Sequence, residues 1–260
     1  GLMSPWITYS GLLMLVLVAH SASTMRVGLG RSASALPLGF LLIVAMALSL
    51  TRNAWLGAIA GLAVVLALVR PRALGGLLMI VLVLILISPG KVQHRLRSGM
   101  DPSDDNTRNR IELLSTSMRL IRDNPWFGVG PKNVGREALR YRGSSEYPDW
   151  LYQHMHNNFL QLAAERGLPG LAFWLWFIFS LVRAAWRGHC ASIPRAGPGP
   201  GRPEPSEAFF ASTAALGCCA ALLVAGFFEY NFGDSEVLTL FLFIMSAPWA
   251  FPADLAGKPA

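Results

Sequence analysis

Residues 53–88 read NAWLGAIAGLAVVLALVRPRALGGLLMIVLVLILIS, two long apolar runs interrupted only around Arg70, Pro71 and Arg72. Apolar runs of this kind, roughly 15 to 21 residues each, are mostly long enough to cross a hydrocarbon core of about 30 Å as helices. A pair of arginines between two such runs marks a short cytoplasmic loop. Working outward, further runs fall at about 2–20, 36–51, 168–182, 208–228 and 237–252, so that with 53–69 and 74–88 there are seven. The composition agrees: 53% of the 260 residues are hydrophobic and 14% charged, with a mean hydropathy of +0.44. That is too apolar for an ordinary soluble domain. The expected fold class is all-α, a polytopic membrane helix bundle.

The connecting segments orient the chain. Arg26 and Arg31 follow the first run, Arg70 and Arg72 the third, and Arg183, Arg187, Arg195 and Arg202 lie between the fifth and sixth. These three loops alternate correctly and share the cytoplasmic side. The other side, periplasm or exterior, receives Ser49 to Asn53, a long polar excursion, and a turn with Glu229, Asp234 and Glu236. The excursion holds 12 of the lysines and arginines, which is no conflict, because long translocated segments escape the charge rule. The division is therefore helices 1–4 over residues 1–90, a helical periplasmic segment over 91–167, and helices 5–7 over 168–260 with a Pro/Gly-rich cytoplasmic linker near 188–207. The chain starts at Gly1 rather than Met, which leaves open that it is the C-terminal part of a longer polypeptide.

Several function classes are set aside. The net charge of +7 is dispersed over topology-setting loops and the excursion, so no nucleic-acid partner is expected. Cys190, Cys218 and Cys219 form no disulfide framework and are expected to be packing residues. There is no His-Glu-x-x-His, no Gly-x-Ser-x-Gly and no cysteine pair with metal-ligand spacing. Asp101, Asp104 and Asp105 read as a solvated loop.

Within the excursion, Asn109 and Glu112 have capping-box spacing, and Ile111, Leu114, Met118 and Ile121 recur on one helical face. A helix is expected over 109–123, ending at Asn124-Pro125, with Arg110 in its first turn, where the dipole favours an anion. Gly128-Val129-Gly130-Pro131 reads as a tight turn before a short helix that Gly143 would end. The stretch His154-Met155-His156-Asn157-Asn158 precedes a helix running to Arg166, and Gly167 with Pro169 stops it. His156 is thus placed at a helix N-terminus, where the dipole disfavours imidazolium and leaves the ring able to accept a proton. His154 and His156 could ligate jointly, but no third ligand suggests itself. Arg52 stands between two apolar runs with only Ser49, Thr51 and Asn53 as polar company, and reads either as a functional ionisable group or as an interfacial anchor.

Taken together these motifs resemble the O-antigen ligase and polymerase superfamily. Its external loop carries His, then Asn, Ser or Gln, nine residues, and Gly; His156-Asn157 and Gly167 match that spacing. Arg110-Ile111-Glu112-Leu113-Leu114, continuing to Asn124-Pro125-Trp126-Phe127-Gly128-Val129-Gly130, is similar to that family's approach to its Pro-x-x-Gly-Val-Gly turn, and Arg52 to its membrane-edge arginine. The likeness runs over about residues 36–250, and family members are typically longer, with about a dozen spans.

The resemblance implies glycosyl transfer from undecaprenyl diphosphate to a lipid A-core sugar hydroxyl on the periplasmic face of a bacterial inner membrane, without metal, cofactor or nucleotide sugar. It makes His156 the catalytic base and places Arg52, Arg110, Asn157 and His154 among the substrate-binding residues. The partners it implies are the lipid-linked glycan donor, the lipid A-core acceptor and the bilayer. Alternatives within the resemblance are an O-antigen polymerase and a protein O-oligosaccharyltransferase. From another class comes a lipid-linked glycan transporter, in which an arginine near a span guides an anionic headgroup without chemistry.

Overall fold

The computed structural model describes residues 5–27, 35–87, 105–144, 146–194 and 205–250, and all regular structure among them is helical. In order these are α1 (Pro5–Val27), α2 (Ala35–Leu48), α3 (Arg52–Val69), α4 (Leu74–Ile87), α5 (Asp105–Asp123), α6 (Val134–Ala138), α7 (Asn158–Ala191), α8 (Glu207–Gly226) and α9 (Ser235–Ala250). Each of the seven apolar runs meets one helix. Four segments, Trp6–Met25, Arg52–Val69, Asn158–Ala191 and Glu207–Gly226, are long and apolar enough to cross a membrane. The helices α2, α4 and α9, with 14, 14 and 16 residues, are shorter apolar helices. The chain is an all-α polytopic membrane protein. Arg31, Arg195, Arg202, Asp101, Asp104 and most of the Pro/Gly-rich linker lie outside the described residues, while α7 continues to Ala191.

The helices form two compact units, the first comprising residues 1–74, 177–225 and 231–260. Here α1 packs against α2, α3 and α9. Close approach of α3 to α8 depends on glycine: a Cβ on Gly61 would sit 2.8 Å from the Gly217 carbonyl oxygen, and one on Gly217 would sit 3.0 Å from that of Gly61. In a bilayer, where apolar burial drives little association, such small-residue contacts let backbones pack closely. Cys218 and Cys219 are buried as packing residues, and the Cys218 thiol reaches the Leu15 carbonyl at 3.4 Å. Cys190 departs from that expectation; it is exposed near the end of α7.

The second unit comprises residues 75–176 and 226–230. Its core is Leu113, Leu120, Val134, Ala138, Leu151, Tyr152, Met155 and Ala164. Two expectations for α5 are corrected. The helix starts at Asp105, four residues before Asn109, so Asn109 and Glu112 form no capping box and Arg110 lies in the second turn rather than the first. The expected apolar stripe is also turned outward: Ile111, Leu114 and Met118 are exposed, while Leu113, Thr116, Ser117 and Leu120 are buried.

The physical reason is Glu112. Its Oε1 accepts hydrogen bonds from the Gly143 N–H at 2.6 Å, Thr116 Oγ1 at 2.9 Å and the Tyr152 hydroxyl at 3.0 Å. Turning this carboxylate inward gives the Gly143 N–H an acceptor and ties α5 to the segment before His154. Burial pushes the Glu112 carboxyl up, but the bonds from Gly143, Thr116 and Tyr152, with the charge of Arg119, outweigh it and hold the group below the usual carboxylate range. Gly143 therefore lies beside Glu112 in a turn and does not end α6, which stops at Ala138.

Two outcomes follow from this packing. Gly61→Ala should lower the thermal unfolding midpoint in detergent, whereas Gly75→Ala, where a Cβ meets nothing within 4 Å, should not; equal midpoints would contradict the α3–α8 contact. Glu112→Gln, which keeps the shape and removes the charge, should cost on the order of 1–3 kcal/mol. Because its pKa is depressed in the fold, the wild-type advantage over this variant should be full above the ordinary carboxylate pKa and vanish as the pH falls through the depressed value. Hydrogen-exchange protection of residues 105–155 across that range reads it; an advantage independent of pH would count against an ionised Glu112.

Candidate active site

His154 and His156 lie in an irregular stretch between a 3-10 turn, Asp149–Gln153, and α7. Tyr152 and Met155 point into the core, and the intervening His154 and then His156 are left half-exposed. The Met155 N–H donates to Gln161 Oε1 at 2.8 Å, Gln161 Nε2 donates to Glu165 Oε1 at 2.9 Å, and that oxygen also accepts the Lys132 N–H at 3.2 Å. Asn157 caps α7: its Oδ1 accepts the N–H groups of Phe159 at 2.8 Å and Leu160 at 3.0 Å. His156, immediately before the cap, has φ 44. A side chain in this left-handed region is uncommon and stores strain that the surrounding bonds must hold.

Across from this stretch runs the connection after α8. The apolar run predicts a span to residue 228, whereas α8 ends at Gly226. Three consecutive residues beyond it each receive a polar contact. Asn157 Nδ2 donates to the Phe227 carbonyl at 3.0 Å, Arg110 Nη1 reaches the Phe228 carbonyl at 3.4 Å, and the Glu229 carboxylate meets both histidines. The Arg110 guanidinium also lies over the Phe228 ring, 5.7 Å from its centroid. Four of the five residues expected in the site, Arg110, His154, His156 and Asn157, are thus gathered on one short segment.

Glu229 is the residue that sequence reasoning missed. Its side chain is 7% exposed. Its Oε1 lies 3.2 Å from His154 Nε2 and 3.0 Å from the Tyr230 N–H, while His156 Nδ1 is 3.0 Å from each carboxylate oxygen. The rings of His154 and His156 are 4.0 Å apart and tilted by 48°. Burial pushes the Glu229 carboxyl up, and the hydrogen bonds and charges of the two histidines overcome it, holding the group well below the usual carboxylate range. An ionised carboxylate therefore faces His156 Nδ1, and because its oxygens only accept, that nitrogen presents a proton to it. Ligating atoms of His154, His156 and Glu229 lie within 4.8 Å of one another, a spacing that could hold a metal ion. At 3.0–3.2 Å those same atoms also satisfy each other as donors and acceptors.

Arg52 belongs to the first unit and is the first residue of α3. The turn before it is well held: Thr51 Oγ1 pairs with Ser10 Oγ at 2.8 Å, Trp55 Nε1 donates to the Met46 carbonyl at 2.7 Å, and Leu50 has φ 51. No side chain caps α3 at Thr51. The helix-start position that sequence reading gave to Arg110 is thus the one Arg52 occupies.

The motif's glycine has its own geometry. Gly167 breaks α7 with φ 71 and ψ 179. A broken helix leaves carbonyls and N–H groups without intrahelical partners, and the 124–130 turn supplies them. Val129 N–H donates to the Ala164 carbonyl at 2.8 Å, Gly130 N–H to that of Glu165 at 3.0 Å, and Leu168 N–H to that of Pro125 at 2.7 Å. The fit leaves no room for a side chain: a Cβ on Gly167 would lie 2.3 Å from the Trp126 oxygen and one on Gly128 2.4 Å from that of Ala164.

A family model described as O-antigen ligase matches residues 37–175, more than half of the chain. The match takes in Arg52, Arg110, His156 and Gly167 and ends before Glu229. No curated protein matches the chain.

Gly167→Ala should displace the 124–130 turn and lower hydrogen-exchange protection of Val129 and Gly130. Protection at wild-type level would show that the turn and the kink are not the interlocked pair these contacts describe.

Proposed function

The chain belongs to the O-antigen ligase family, and from that premise we propose that it joins a glycan carried on undecaprenyl diphosphate to a hydroxyl of a lipid A-core sugar. Residues 91–167 form the external segment of this enzyme, at the periplasmic face of the inner membrane. The observation that carries the reading is the convergence of Arg110, His154, His156 and Asn157 on the 227–229 segment, in a multi-pass membrane protein of this family.

His156 acts as general base. Its Nδ1 is engaged by Glu229, the ring is 29% exposed, and no partner of Nε2 is present among the described residues. As the acceptor oxygen attacks the anomeric carbon, its proton passes to His156 Nε2. The bond from the anomeric carbon to the diphosphate oxygen breaks, and the lipid diphosphate leaves with the electron pair. Attack opposite the leaving group inverts the configuration. The anion released is strongly charged, and the guanidinium groups of Arg110 and Arg52 stabilise it as charge develops. Arg52 contributes from a helix N-terminus, where the dipole adds to its own charge. Asn157 shapes the site through its cap and its bond to Phe227, and His154 shares the Glu229 carboxylate. General-base help supplies roughly 10²- to 10⁴-fold, so positioning and charge must provide the remainder.

The test is transfer by purified full-length protein in bilayers, supplied with a polyprenyl-diphosphate glycan and with lipid A-core or a second lipid-linked glycan as competing acceptors. His156→Ala, checked for folding and insertion, should lose at least about 10²-fold in turnover. Arg52→Ala and Arg110→Ala should raise the KM for donor more than that for acceptor. Undiminished turnover by His156→Ala, or exclusive use of the second lipid-linked glycan, would overturn the assignment of base or of acceptor respectively.

A further inference from the structure

We infer that Glu229 is a positioning residue of the transfer reaction: it holds His156 with the proton on Nδ1 and leaves Nε2 facing outward as the proton acceptor. The inference rests on the reading of His156 as the base. Glu229 lies 73 residues further along the chain, beyond the stretch that matches the family model.

A buried carboxylate must find its donors within the fold. Its oxygens only accept, so every group that approaches within hydrogen-bond distance must present a proton. Glu229 is approached by the Tyr230 N–H, by His154 Nε2 and by His156 Nδ1, and among the described residues its charge partners are the two rings. Losing these donors would strand a buried charge, so the fold enforces them. The two histidines are thereby held as different tautomers, His154 with its proton on Nε2 and His156 with its proton on Nδ1. For His156 this is the tautomer less populated in free histidine, and it is the one whose Nε2 lone pair can take a proton from an incoming hydroxyl. When that proton arrives, the anion 3.0 Å from Nδ1 stabilises the imidazolium without itself accepting a proton.

The backbone is built to hold the arrangement. His156 is fixed in its left-handed conformation between the Met155–Gln161 bond and the Asn157 cap. Glu229 is fixed from the other side, because Asn157 Nδ2 grips the Phe227 carbonyl two residues earlier. The same asparagine therefore sets both partners of the pair, which gives the Asn of the His-Asn motif a physical task.

The test compares full-length wild-type protein with Glu229→Gln and Glu229→Asp in lipid nanodiscs, with nitrogen-15 histidine labelling and His156→Ala to assign the signals. A glutamine can turn its NH₂ toward His156 Nδ1, which would move the ring proton to Nε2 and remove the base. Glu229→Gln should therefore lose the Nδ1–H signal of His156 at neutral pH and lower kcat on the order of 10²- to 10⁴-fold, with KM for donor and acceptor changed less than about 3-fold. Glu229→Asp, which keeps the acceptor, should restore the Nδ1–H signal and part of kcat. A residue with a merely structural role would move neither the tautomer nor kcat selectively.

Persistence of the Nδ1–H signal or of wild-type kcat in Glu229→Gln would overturn the inference. So would loss of wild-type turnover in EDTA with recovery on adding zinc, because the trio would then be a metal site. If wild-type protein transfers no glycan at all, the proposed reaction fails and the tautomer measurement alone decides the role of Glu229. If His156→Ala abolishes transfer and Glu229→Gln does not, the reaction stands and this inference fails.

Discussion

The break in α7 at Gly167 is the constraint on which the second unit depends. A helix broken at a left-handed glycine must find partners for the backbone groups it frees, and here three main-chain bonds from the 124–130 turn provide them. The contact is main chain against main chain, closer than any side chain allows at Gly128 and Gly167. It ties the turn that follows α5 to the kink in α7. The nine residues between Asn157 and Gly167 are then the length of rigid helix that carries His156 from the kink to the site.

Two buried carboxylates complete what the backbone begins, and they work in the same way. Glu112 collects a backbone N–H from Gly143 and hydroxyls from Thr116 and Tyr152; Glu229 collects the rings of His154 and His156 and the Tyr230 N–H. Each draws together segments separated along the chain, and each stays ionised because its donors outweigh the cost of burial. The difference lies in what surrounds them. Glu112 is enclosed by groups that do not titrate near neutrality, whereas Glu229 is paired with two imidazoles that reach the surface, so the first holds structure and the second can serve chemistry.

The membrane helices were legible because hydropathy over a span is an additive signal, and the seven runs each meet a helix. The turn at Gly128, the stop at Gly167 and the helix start after His156 were legible because they rest on local backbone chemistry. The inward face of α5 was not: Ile111, Leu114 and Met118 make the more regular stripe, and only the distant Gly143 and Tyr152 reveal that Glu112 must turn inward instead. Glu229 was equally hidden. It follows Phe227 and Phe228, so it reads as the polar edge of a span, and its partners come from a segment that local patterns cannot connect to it. Arg110 was placed one turn too early because its helix begins at Asp105, before the apolar pattern does.

In the proposed reaction a charged lipid carrier meets a histidine held by a buried anion, with Arg110 on the same unit. The central claim is therefore about where the donor sits. The most direct measurement is an experimental structure of the full-length protein in a bilayer with a non-transferable phosphonate analogue of the donor. The account predicts the two phosphorus groups within hydrogen-bond distance of the Arg52 and Arg110 guanidiniums, with His156 Nε2 facing the side of the anomeric carbon opposite the leaving group. A donor bound with its diphosphate away from both arginines, or with the anomeric carbon shielded from His156, would contradict it.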